Sequence, residues 1–216
     1  MTGLMMKDAL VMRKTLRLYA LFLLFYSGLA MLGVFPMSMA LAMVEVIVMV
    51  LPISSFSYDE AAKWDRYAAV LPVGRTAVVK ARYLFLLLVL LAAAAIGLVG
   101  SILASLLARE DLGELLATLL VSMGLGLMIA DIMLPVVYQL GPERARPWMY
   151  VIIFAPIVVL LGGAKLGLFD GIDLSWLDQL PELAVLGVFA LVPLVPLVGM
   201  LLSCWISCRI YARKEF

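Results

Sequence analysis

The chain contains no histidine among its 216 residues. That absence removes Ser-His and Cys-His nucleophiles, HExxH metal sites and histidine proton relays. Only two cysteines occur, Cys204 and Cys208, four apart. Without histidine they make a poor metal site, and they read as small buried hydrophobes. No GxxxxGK[ST] phosphate loop is present, so the chain does not hold ATP by that route. Charge is scarce as well, at 14% of residues, and no long polar stretch interrupts the sequence to form a separate water-soluble domain.

What fills the sequence instead is apolar: 66% of residues, with a mean hydropathy of +1.15. A soluble domain of this size lacks the interior volume to bury that much hydrophobic surface. A membrane span takes about 20 apolar residues, and six runs qualify: 18–35, 37–56, 83–107, 115–139, 148–168 and 183–207. The first follows a charged lead without a small-residue cleavage site, so it reads as a span and not as a cleaved signal. The expected fold is an all-α integral membrane protein of six spans, a single domain over 1–216.

The distribution of bases orients the runs. With an even number of spans both termini lie on one side, and that side collects Lys7, Arg13, Lys14, Arg17, Lys63, Arg66, Arg75, Lys80, Arg82, Arg144, Arg146, Arg209, Arg213 and Lys214, which is 14 of 16 bases. The other side holds Arg109 and Lys165 and the acids Glu110, Asp111, Glu114, Asp170, Asp173, Asp178 and Glu182. The positive-inside rule makes the basic side cytosolic. Tyr19, Tyr83, Tyr138, Trp148, Trp205 and Tyr211 fall near the cytosolic span ends, as expected of headgroup anchors.

Residues 1–17 read as a cytosolic amphipathic helix. Leu4, Met5, Ala9, Val11, Met12 and Leu16 share one arc, the bases lie opposite, and Asp8 breaks the apolar arc. Between the second and third runs, residues 57–82 form a dense charged island, SYDEAAKWDRYAAVLPVGRTAVVKAR. Ser57 and Glu60 have the spacing of a capping box. The predicted helix runs from there to Val70 and stops before Pro72, with Asp59 and Glu60 at the positive end of its dipole. A second helix restarts near Thr76. Such an island serves either as a rigid connector or as a docking element for a cytosolic protein. The other cytosolic loop, GPERARP at 141–147, is short and bracketed by helix breakers. On the outer side, 169–182 reads as an interfacial helix, a partial re-entrant turn or a plain loop.

Two acids lie inside spans, Glu45 in the second and Asp131 in the fourth. A mid-bilayer carboxyl costs about 2.5–3.5 kcal/mol on insertion scales, so each should face a bundle interior, a cavity or a partner span. They are candidate translocation-path residues, or protonated packing residues. Gly163 and Gly167 have GxxxG spacing, and Pro52, Pro135, Pro156, Pro193 and Pro196 are candidate kinks.

The stretch FSYDEAAKWDRYAAVLPVGRTAVVKARYL resembles the signature of bacterial ATP-binding-cassette type-2 transporter permeases, in the small six-span branch that includes bacitracin-type and phenol-soluble-modulin exporters. The opening MTGLMMKDALVMRKT is similar to the cytosolic connector helix of that branch, with its Lys-Asp pair. The resemblance implies that the loop between spans two and three is a coupling helix seated in a cleft of a separate ATPase subunit. Tyr58, Asp59, Glu60, Lys63, Trp64, Asp65 and Arg66 would make or shape that contact, and Leu71, Pro72 and Arg75 would end the helix. It further implies two permease copies, or this chain with a paralogue, in the bacterial cytoplasmic membrane. ATP and magnesium would sit on the partner subunit and no cofactor on this chain, which would not itself be an enzyme and has no nucleic-acid partner. The expected cargo is a peptide or amphipathic small molecule. A self-sufficient carrier using Glu45 or Asp131 as a proton site is the rival reading. A membrane-embedded enzyme would need those acids or a serine to act without histidine.

Overall fold

The computed structural model describes residues 2–64, 67–68, 74–167 and 181–213. Seven helices carry nearly all of them: α1 Thr2–Val11, α2 Arg13–Met31, α3 Met37–Ala61, α4 Arg75–Leu107, α5 Leu112–Leu140, α6 Pro142–Lys165 and α7 Glu182–Arg213. No strand occurs among the described residues. In lipid only structures that satisfy every backbone polar group internally can span, and helices do so along their whole length.

Five helices are long and apolar enough to cross a bilayer, α3 to α7. The first expected span coincides with α2, whose Arg13, Lys14 and Arg17 fall within its first five residues. The 14 residues after Arg17 span about 21 Å at 1.5 Å per residue, less than the roughly 30 Å of a hydrocarbon core. Its outward side is nonetheless apolar, with Leu21 64% and Phe25 58% exposed.

α5 is the centre of the bundle, packed along α3 on one side and α7 on another. Glycine permits both crossings. A Cβ on Gly126 would lie 3.2 Å from the Glu45 Cα, and one on Gly124 would lie 2.8 Å from the Val192 carbonyl oxygen. The core runs through Met37, Leu41, Val44 and Val48 of α3 to Leu127 and Leu134 of α5.

Several local expectations are corrected. Residues 2–17 are two helices, interrupted at Met12, a core residue 1% exposed. Val11 faces outward, whereas Asp8 lies on the buried face. Tyr83, Tyr138 and Tyr211 are 2–3% exposed and belong to the interior, so they are not headgroup anchors; Trp148 and Trp205 are half exposed. The expected loop at 141–147 collapses to Gly141, at φ 81°, followed at once by α6 with Pro142 in its first turn, where a missing N–H loses no bond. Gly167 is in the turn after α6 at φ 68°, so it forms no helical GxxxG pair with Gly163. The helices continue through Pro52, Pro135, Pro156, Pro193 and Pro196.

Candidate coupling site

The charged island begins inside a span. α3 continues without a break through Ser57 to Ala61, and Lys63 then turns the chain at φ 51°. Ser57 is therefore a mid-helix residue and caps nothing. Asp59 and Glu60 lie in the last turn of α3, the negative end of its dipole, where a carboxylate is disfavoured. What carries the helix onward is tertiary: Ser55 and Asp59, one turn apart, meet a buried arginine on α4.

That arginine, Arg82, is 4% exposed. It donates to Ser55 Oγ and to Asp59 Oδ2, and its Nε lies 3.4 Å from Asp8 Oδ2. Lys7 closes the ring, with its Nζ 2.7 Å from both Asp8 Oδ1 and Asp59 Oδ1. Two bases and two acids from α1, α3 and α4 thus form a neutral cluster. Neutrality is what makes it tolerable, because an isolated buried charge is far more expensive than a paired one. Aromatic rings complete the shell. The Lys7 ammonium stands 4.3 Å from the Trp64 ring centroid and the Arg82 guanidinium 4.6 Å from that of Phe56. Tyr138 meets Phe56 edge-on at 4.6 Å and Tyr211 at 5.5 Å, linking the cluster to α5 and α7.

Further bonds hold the same end of α3. Thr15 and Tyr58 share a hydrogen bond of 2.9 Å, and Tyr19 and Ser54 one of 3.2 Å, both to α2. Arg75 opens α4 and donates to the Ala212 carbonyl in the last turn of α7 at 3.0 Å. The end of α3 is therefore fastened to α1, α2 and α4, and the start of α4 to α7.

Among the expected contact residues, Tyr58 is 40% exposed, Glu60 and Lys63 are exposed, and Tyr67 beside them is 63% exposed. Asp59 faces the cluster and Trp64 is partly covered beneath Lys7. Asp65, Arg66, Leu71 and Pro72 lie outside the described residues. The residues that sequence reasoning missed are Asp8, Arg82 and Ser55. A charge on an apolar arc was the available signal for Asp8: it faces inward because a cation waits there.

The intramembrane acids are not brought together. Glu45 is partly exposed at the α3–α5 crossing beside Gly126. Asp131 is five residues further along α5, about 140° around the helix, and its Oδ2 lies 3.4 Å from where a Cβ on Gly199 of α7 would stand. Both Asp131 carboxylate oxygens are buried and have no hydrogen-bond partner among the described residues. Beside it runs a polar chain: Ser203 donates to the Asp131 carbonyl at 2.5 Å and also bonds Tyr83 at 2.6 Å, and Tyr83 bonds Ser207 at 2.8 Å.

A bundle of apolar helices with a clasped, charge-rich turn at one end, its outer side chains exposed, defines a multi-pass membrane protein. The chain matches the family described as ABC-2 family transporter protein over residues 3–212, and it belongs to that family. It is accordingly a membrane permease subunit of the ATP-binding-cassette type, of the kind that pairs with an ATPase. No curated protein and no solved structure matches the chain.

Proposed function

We propose that this permease exports peptides or amphipathic small molecules across the bacterial cytoplasmic membrane, with both termini cytosolic, as one of two permease copies bound to a separate ATPase. The ridge Tyr58, Glu60, Lys63 and Tyr67 is the surface the ATPase grips, and Asp65, Arg66, Leu71 and Pro72, outside the described residues, are expected to extend the contact. The observation that carries this reading is the contrast between the ridge and its base: the outer side chains are exposed, while Asp59 beneath them is locked to Lys7 and Arg82. A ridge so fastened moves with α1, α3 and α4 when its partner moves. The partner must engage it differently in its two nucleotide states, since only differential binding shifts an equilibrium.

The test uses exposed positions, because replacing Asp59 would disturb the fold itself. Tyr58→Ala, Glu60→Arg and Lys63→Glu combined should abolish copurification of the ATPase and ATP-driven export while leaving membrane insertion unchanged. Undiminished export by this variant would refute the assignment.

Asp131 supports a second reading. Its carboxylate, without a hydrogen-bond partner among the described residues and beside the Ser203–Tyr83–Ser207 chain, is suited to carry a proton, as a secondary carrier using Glu45 or Asp131 would require. Transport driven by a pH gradient without ATP would favour that carrier.

A further inference from the structure

Between α1, α2 and α4 lies a hollow of about 420 Å³, lined by Met5 and Ala9, by Ala20 and Leu23, and by Ala92 and Ile96 among others. The alanines give it depth, since a larger side chain at any of them would fill it. Among the described lining residues only Tyr19 carries a side-chain oxygen or nitrogen, and its hydroxyl is engaged by Ser54. The occupant must therefore be apolar along its whole length. The lining follows α4 from Phe85 to Ile96, about 16 Å at 1.5 Å per residue, close to half the roughly 30 Å hydrocarbon thickness. That is the depth reached by one tail of one leaflet. A second hollow of about 440 Å³ shares Ile96 and continues along the same seam between α2 and α4.

Two bases flank the α2 side of the first hollow without lining it: Arg13 and Arg17 lie about 60° and 100° around the helix from the lining residue Leu16, while Lys14 lies about 160° away. All three are exposed, α2 carries no acid, and among the described residues no carboxylate pairs with any of them. Asp8, the nearest acid in sequence, is buried and held by Lys7 and Arg82. An apolar slot of one-leaflet depth with uncompensated bases beside it is complementary to a lipid with a negative headgroup. We infer that this hollow binds one acyl tail of an anionic phospholipid, with the headgroup phosphate held by the basic start of α2. The inference rests on the spanning helices and the hollow, and stands whether or not an ATPase docks at the ridge.

The test is native mass spectrometry of the full chain released from nanodiscs containing equal amounts of phosphatidylglycerol and phosphatidylcholine. One phosphatidylglycerol per chain should be retained, about tenfold in preference to phosphatidylcholine. Ala92→Trp and Ala20→Phe fill the hollow from opposite walls, and each should reduce retention at least tenfold. Arg13→Ala with Arg17→Ala should leave a lipid bound but remove the preference for phosphatidylglycerol. Should both filling variants fail to fold, the wild-type chain decides with dioctanoyl-phosphatidylglycerol, which keeps the headgroup but cannot reach Ile96 and should be retained at least tenfold less than the long-tailed lipid. Equal retention of the two headgroups, retention insensitive to filling or tail length, or a second copy of the chain displaced by filling with no lipid lost would each overturn the inference.

Discussion

Lys7, Asp8, Asp59 and Arg82 sit at the junction of α1, α3 and α4, and every one has a partner of opposite sign. About two thirds of the way along α5, Asp131 is equally hidden at its carboxylate and has none among the described residues. The first group is organised to be permanent. Removing one member would leave a charge stranded, and the cluster joins three helices that sequence alone does not connect. The second holds no helix by its carboxylate, and the packing around it would survive its neutralisation. The comparison separates charges that build the molecule from a charge whose presence the fold does not explain.

Six variants sharpen that contrast. Arg82→Ala strands two buried carboxylates against one lysine and should destabilise by about 3–5 kcal/mol, read as loss of monodisperse protein after detergent extraction. The compensated variant Arg82→Met with Asp59→Asn should recover much of that loss; no recovery would mean that packing, not charge balance, is what Arg82 supplies. Gly124→Leu forces a side chain against the Val192 backbone and should cost about 1–3 kcal/mol. Gly28→Ala, which meets nothing within 4 Å, is the neutral control in the same melting assay. Tyr83→Phe breaks the bonds to Ser203 and Ser207 and should cost about 1 kcal/mol, given roughly 0.6 kcal/mol per intramembrane hydrogen bond. Asp131→Asn should leave the melting temperature almost unchanged, within about 0.5 kcal/mol, while lowering transport. A fall in stability as large as that of Arg82→Ala would show that Asp131 has a structural partner after all.

The apolar runs that became α3 to α7 were readable because lipid imposes one requirement, length of apolar helix, that composition reports directly. The junction was not. Ser57 and Glu60 satisfy the local pattern of a helix start, but that pattern is worth only about 1 kcal/mol, and the pairing of Asp59 with Arg82, 23 residues away, keeps the helix going. Asp8 looked like a flaw in an amphipathic helix because its partner Arg82 is encoded far downstream. Tyr83 and Tyr138 were misplaced for a related reason. A ring with one polar tip suits a membrane interface and a hydrogen-bonded interior equally well, and only the facing residues, Ser203 and Ser207 for Tyr83, decide between them. The exposed ridge, by contrast, was legible in outline, since a run of charge between two spans has few other places to go.

The central claim is that the end of α3 is a cytosolic ridge held rigid by the buried cluster and gripped by an ATPase. The most direct measurement places a single cysteine at position 63 in a Cys204→Ser, Cys208→Ser background and treats intact cells with a membrane-impermeant maleimide, followed by a bifunctional crosslinker in inverted vesicles with and without ATP. No labelling from outside is expected, and in the vesicles position 63 should crosslink to the ATPase with a yield that changes on adding nucleotide. Labelling from the cell exterior, or a position 63 that never crosslinks to an ATPase, would contradict it.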